Sequence, residues 1–489
     1  MDSTITINHL ADATISDIQS WFENQEITAA DLVLLYLERI ARFDRSGPTL
    51  NSVATINPDA YHIAQGLDQE RRLGGIRGPL HGIPVLIKDN IATGDKMPTS
   101  AGSLAMRDVY APEDAWVVER LRAAGAIILG KTNLTEWANF MTEEMPNGFS
   151  SRSGQVLNPY GPGQVDPGGS SSGSGSAVAA GLSAFAMGTE TSGSILSPST
   201  QHSLIGIKPT VGLLSRFGVV PISPSQDTAG PMCRTVKDAA LVLAALTGVD
   251  PRDPATGASQ GHYASNYTSG LDGEGLRGVR LGLPRAGFFD KLADWQHHLM
   301  EQAIGDLKRL GAEVVDPADL PESSLYHDFT VLTYEFKAAL NAYFNWLGER
   351  TPIKSLQDLV AYNQAHPQEC LKYGQTRLIA AQQTAGTLVE DLYIDARARD
   401  LRSSQSQGID QVLSQHHLNG LIFPGAAGAE IAAKAGYPSI TVPAGYSPQG
   451  EPLGITFSAR AWEEASLIRW AYAYEMGTRR RKPPTLPKT

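Results

Sequence analysis

Residues 168–198 read GGSSSGSGSAVAAGLSAFAMGTETSGSILSP, and no other stretch limits the fold of the chain as strongly. Two loops of glycine and serine bracket an alanine-rich stretch, residues 177–182, and a short apolar run. Glycine and serine dominate flexible linkers, but here the alanine run continues the first loop without a break, which argues for a helix entered directly from it. Such a helix brings the second loop, ending at Ser194, back to the first. A loop entering a helix amino terminus offers free N–H groups and small side chains, which suits holding a hydroxyl in an unusual backbone geometry.

Around this segment helices and strands alternate. Residues 27–42 predict an amphipathic helix, with Thr28 and Asp31 at capping-box spacing and Leu32, Leu35, Tyr36 and Ile40 at helical intervals. The run HGIPVLIK, residues 81–88, is bounded by glycine, proline and the polar Asp89 and Asn90, and predicts a buried strand with Lys88 at its carboxyl end. A helical stretch to about residue 124 leads into a strand at 126–129. Later come a strand at 279–283, a helix at 294–310 and a strand at 313–315, then strands at 421–423 and 439–442 and a helix at 463–476. This alternation predicts an α/β fold, which we read as a single α/β/α sandwich over residues 1–489 with a mixed central sheet and helices on both faces. Residues 249–278, rich in Gly, Asp and Ser, read as a surface excursion. A variable region at about 320–410 is mainly helical. Its aromatic residues, Tyr334, Phe336, Tyr343, Phe344 and Trp346 among them, are expected mostly in a core, in a position to cap the sheet or wall a pocket.

Composition excludes several classes. No stretch of the 489 residues approaches the roughly 18 uninterrupted apolar residues that a membrane span needs, and residues 1–17 lack the pattern of a secretory signal. Cys233 and Cys370 cannot make a disulfide framework and have no zinc-ligand spacing, so a cytoplasmic protein with free thiols is the expectation. A formal charge of −11 disfavours nucleic acid and anionic lipid as partners. The one basic run, Arg479 to Lys482, is expected to be a solvated helix end matched to the helix dipole.

Two motif matches fail on context. Gly125-Ala-Ile-Ile-Leu-Gly130-Lys131-Thr132 has the spacing of a phosphate-binding loop, but its four interior residues are the strand itself. Gly169-Ser-Ser171-Ser-Gly173 fits the serine elbow of α/β hydrolases, but a proline-rich loop, residues 158–167, precedes it where a strand is required. Nor do the adjacent His416 and His417, which point in different directions, supply a convincing partner.

The chain resembles the amidase signature family. The resemblance is carried by Gly168-Gly-Ser170-Ser171 and Gly188-Thr-Glu-Thr-Ser-Gly-Ser194-Ile, whose serines Ser170 and Ser194 lie 194 − 170 = 24 positions apart. It continues through Gly206-Ile-Lys208-Pro-Thr-Val-Gly212 and Ser225-Gln-Asp227-Thr-Ala-Gly-Pro-Met232, and upstream through Gly82-Ile-Pro-Val-Leu-Ile-Lys88-Asp-Asn90 and Gly130-Lys-Thr-Asn133. It covers most of residues 25–247, with a signature core at about 70–247 and echoes in residues 436–443 and 452–457.

That resemblance implies that Ser194 attacks a carboxamide carbon, that Ser170 passes its proton and that Lys88 is the base, with a cis peptide bond before Ser170. It also implies an oxyanion hole built from the backbone amides of Thr191, Ser192, Gly193 and Ser194, with no metal or organic cofactor. Lys208 and Asp227 are expected to stabilise loops. Three positions depart from the usual signature: Glu190 replaces aspartate, Ser192 glycine and Leu196 arginine. The Thr191-Ser-Gly-Ser194 form is similar to that of bacterial peptide amidases, which remove carboxyl-terminal amides from peptides. The expected partner is thus a small-molecule or peptide amide, and a homodimer is open. The glutamine-splitting component of an amidotransferase complex and a non-catalytic binding protein on the same fold are the alternative readings.

Overall fold

The apolar run that ends at Lys88 forms a strand buried at every position, and an eleven-stranded mixed sheet is built around it. The structure, a computed structural model, describes residues 5–326 and 328–486. In chain order its strands are β1 (Val53–Ile56), β2 (Pro84–Lys88), β3 (Ile127–Thr132), β4 (Phe149–Ser150), β5 (Gly154–Gln155), β6 (Phe185–Glu190), β7 (Ile205–Lys208), β8 (Thr228–Cys233), β9 (Arg280–Gly282), β10 (Glu313–Val315), β11 (Gly420–Pro424), β12 (Ser439–Tyr446) and β13 (Pro452–Ser458). The short β4 and β5 pair with each other, and the remainder run in the order β1-β3-β2-β6-β8-β7-β12-β13-β11-β9-β10. Within that sheet β3, β2 and β6 are mutually parallel, the neighbours from β6 to β11 are antiparallel, and β11, β9 and β10 are parallel again. Helices flank the sheet in the α/β arrangement that the alternation predicts.

Local chemistry accounts for the elements that position the site. The helix Ala29–Ile40 starts at a capping box, in which the Asp31 amide donates to Thr28 Oγ1 at 3.1 Å and the Thr28 amide to Asp31 Oδ2 at 3.3 Å. The helix Ser172–Ala179 is buried on every side and has no solvent-exposed face. Glycine makes that burial sterically feasible: a Cβ at Gly173 would lie 2.3 Å from the Asn133 carbonyl oxygen and 2.5 Å from that of Ser52. Gly173→Ala is therefore expected to destabilise the protein by about 1–3 kcal/mol and to lower its thermal midpoint. Gly305→Ala, in the helix Asp294–Arg309 with open space around the new methyl, is expected to gain up to about 1 kcal/mol. Equal midpoints for the two variants would contradict this account.

The aromatic-rich region folds into helices, including Thr330–Leu347, Leu356–Ala365, Thr376–Gln382 and Asp391–Ser404. They enclose a second apolar core in which Phe336 packs on Phe140 with ring centroids 4.7 Å apart and Phe344 packs on Trp137 at 6.5 Å. Phe336, Tyr343 and Phe344 are buried, while Tyr334 stacks on Tyr393 and Trp346 lies against Phe217.

The excursion at 249–278 is tethered rather than loose: Asp250 accepts from Ser215 Oγ at 2.7 Å, Asp253 is paired with Arg216 at 2.5 Å, and Tyr267 and Leu276 are buried. The basic run differs from expectation. Arg480 pairs with Asp306 at 2.6 Å and Arg481, whose side chain is only 16% exposed, pairs with Asp12, so ion pairing across the chain holds this segment and it is not simply solvated. Among the described residues no helix is long and apolar enough to cross a membrane.

Candidate functional site

Side chains that outline a site collect at the carboxyl ends of the parallel strands, the usual crevice of an open α/β sheet. Pairing of Ile87 with Met187 sets β2 and β6 in register, so Lys88 at the end of one strand meets Thr189 near the end of the other. Lys88 Nζ donates to Thr189 Oγ1 at 2.8 Å and to Ser170 Oγ at 2.7 Å. Asn90 Nδ2 donates to the same threonine oxygen at 3.0 Å.

Ser170 follows a cis peptide bond from Gly169, and its carbonyl accepts from the Thr135 amide at 3.1 Å. The two serine loops meet where the Ser171 amide donates to the Ser194 carbonyl at 3.2 Å. They also touch at Gly168, where a Cβ would come within 2.7 Å of Pro198 Cα.

The second loop is held from three directions. Thr191 Oγ1 donates to Asp227 Oδ1 at 2.5 Å and Gln226 Nε2 donates to the Thr191 carbonyl at 3.1 Å. Glu190 Oε2 accepts the amides of Ile195 and Leu196 at 2.7 and 2.9 Å, capping the helix Leu196–Gln201 that follows Ser194. Glutamate in place of aspartate at 190 is thus accommodated by a helix cap. Lys208, whose amine donates to the Pro209 carbonyl at 3.0 Å, lies close enough to favour the charged form of Glu190.

Burial dominates the electrostatics. Lys88 is fully enclosed, which pushes its amine well below its usual range against the opposing influence of the Glu190 and Asp227 carboxylates. Burial also lifts the Glu190 carboxyl, opposed by Lys208 and by the amides of Leu196, Ile195 and Gly193. It raises Asp227 to about 6 and lowers Lys208 to about 8.

Ser194 faces a cavity of about 290 Å³. Thr191 and Ser192 continue its floor, Phe140, Ile222 and Leu332 make it partly apolar, and Asn139, Asn147 and Arg377 add hydrogen-bonding groups. The Arg377 guanidinium lies 4.2 Å from the Phe329 ring centroid. The serine-elbow alternative has no support: residues 158–167 contain no strand, and the His416 and His417 carbonyls accept from Arg280 at the start of β9. Lys131 of the phosphate-loop match is buried in β3, donating to the Ile91 carbonyl and Thr99 Oγ1.

Sequence reasoning missed Thr189, Thr135, Asn139 and Asn147. Thr189 alone carried a signal, since its alternation with Met187 along β6 puts both on one face.

The family model described as Amidase matches residues 31–468. A probable amidase of Arabidopsis thaliana is 41% identical, over 99% of this chain and 93% of its own length. The solved structure of the native peptide amidase from Stenotrophomonas maltophilia superimposes with a TM-score of 0.92 at 46% identity, covering 99% of this chain and all of that one. A glutamyl-tRNA(Gln) amidotransferase component of Methylobacillus flagellatus is more distant, 32% identical over 96% of this chain and 97% of its own length. A match of this extent to the family, on the fold described above, makes the chain a member of the amidase family and an enzyme that hydrolyses amides.

Proposed function

We propose that the protein hydrolyses a carboxamide C–N bond through an acyl-Ser194 intermediate, with Ser170 and Lys88 as its proton relay. The observation that carries this reading is the 2.7 Å contact between fully buried Lys88 and Ser170 beside the Ser194 loop. A serine hydroxyl is a poor nucleophile unless a base takes its proton, and a desolvated lysine can be that base because burial favours its neutral amine. Ser194 Oγ attacks the amide carbon and gives its proton to Ser170, whose own proton passes to Lys88. The relay then runs in reverse to protonate the departing ammonia or amine, and water attacks the ester to release a carboxylate and restore Ser194.

The developing oxyanion is stabilised by amides of the loop from Thr191 to Ser194.

The favoured substrate is a peptide with a carboxyl-terminal amide. Supporting this are the 46% identity to a peptide amidase and a cavity that sets apolar walls beside Asn139, Asn147 and Arg377, a mixture suited to a peptide's side chains and carbonyls. Ammonia release from a panel of aliphatic, aromatic, glutamine and peptide amides is the test. A peptide amide is expected to give the highest kcat/KM of the panel. Preference for free glutamine would favour the amidotransferase-like alternative instead.

A further inference from the structure

The cavity at Ser194 has walls from distant parts of the chain: Thr191, Ile222, and Leu332 from the helix Thr330–Leu347. One carboxylate ties them together. Glu335, one turn beyond Leu332 and 3% exposed, accepts at Oε2 from Ser223 Oγ at 2.6 Å and from the Ser225 amide at 3.0 Å. Its Oε1 accepts from Ser225 Oγ and from Tyr393 Oη, the latter at 2.8 Å. The amides of Ile222 and Ser223 in turn donate to Asp227 Oδ2, each at 2.9 Å. The other oxygen of Asp227 holds Thr191. The chain of contacts therefore runs from the helical wall through Glu335, Ser223 and Asp227 to the loop that carries Ser194. A carboxylate is the group this junction needs, because it offers acceptors alone and the four groups facing it are all placed to donate.

We infer that Glu335 is a positioning residue that sets the spacing between the helical wall and the nucleophile loop, and thereby governs how efficiently long acyl groups react relative to short ones. The inference rests on Ser194 acting as the nucleophile in this cavity. Glu335 itself does not line the cavity. A short amide is oriented by the Thr191–Ser194 loop alone, whereas a long acyl group must also meet Leu332 and is misplaced when the two walls shift. Glu335→Gln keeps the shape of the side chain but turns an NH2 group toward donors. Tyr393→Phe and Ser225→Ala each remove a donor hydroxyl and leave the carboxylate in place.

The test is the ratio of kcat/KM for the longest and the shortest amide that the full-length enzyme cleaves, measured for the wild type, Glu335→Gln, Tyr393→Phe and Ser225→Ala. Because both amides are assayed on one preparation, the ratio does not depend on the fraction of enzyme that is folded. Glu335→Gln is expected to lower it by roughly 10-fold or more, and the two hydroxyl variants to shift it several-fold in the same direction. If Glu335→Gln does not fold, the hydroxyl variants decide the matter. An unchanged ratio in every variant that folds overturns the inference. Ser194→Ala, assayed in parallel, tests the nucleophile separately: activity surviving there removes the underlying reading, whatever the Glu335 ratio shows.

Discussion

Ser194→Ala is expected to lower kcat for amide hydrolysis by on the order of 10⁵-fold or more, while the protein keeps its fold and still binds substrate. Alanine removes only the attacking oxygen, and the backbone contacts of this loop do not involve the lost atom: the Ser194 carbonyl still accepts from Ser171, and Glu190 still caps the following helix. Ser170→Ala is also expected to be severe, since Ser170 Oγ is the atom that Lys88 reaches. The double variant should be little worse than Ser194→Ala alone, because residues that act as one unit are strongly non-additive. Trapping makes the same point directly. A slowly deacylating ester should add its acyl mass to the wild-type protein at Ser194 and leave Ser194→Ala unmodified. An acyl group found on another residue would assign the nucleophile elsewhere.

How much of this could be read beforehand depends on whether a residue's neighbours are local or distant. The capping box at Thr28 and the strand that ends at Lys88 follow from nearby sequence, and the structure has both, whereas the helix expected over the alanine run begins earlier, at Ser172 inside the first serine loop, and ends at Ala179. Strand β8 is the opposite case. With Gly230 and Pro231 in its interior it carries no strand signal, yet it is buried throughout between β6 and β7. Its pairing comes from the tertiary arrangement.

The site divides in the same way. Lys88, Ser170 and Ser194 stand out through motifs with fixed local spacing. Alternation puts Thr189 on the same face of β6 as Met187, but its place beside Lys88 follows only once β6 is known to lie beside β2 in register. Glu335 reads as one more polar position in an amphipathic helix until Ser223, more than a hundred residues earlier, is found against it. The basic run after the last helix fails as a local reading for the same reason, because its ion-pair partners, Asp12 and Asp306, are far away in sequence.

Lys88→Ala is expected to lower kcat/KM by about 10⁴-fold, and the pH dependence should identify the reason. Only the neutral amine can accept a proton from Ser170, so wild-type activity should be high above the Lys88 pKa and fall as pH drops through it. Burial has already pushed that pKa well below the ordinary lysine range, which places the falling limb far to the acid side of where an exposed lysine would titrate. Glu190 and Asp227 oppose burial by favouring the ammonium form. Glu190→Gln removes the larger of these two opposing charges, so it should lower the Lys88 pKa further and move the acid limb toward lower pH. Lys88→Arg keeps a long basic side chain that stays protonated at all accessible pH values, so it should be as inactive as Lys88→Ala. A purely structural lysine predicts the reverse on both counts: arginine would recover much of the lost activity, and Glu190→Gln would leave the limb where it is. An acid limb that moves toward higher pH in Glu190→Gln would assign the titration to a group other than Lys88.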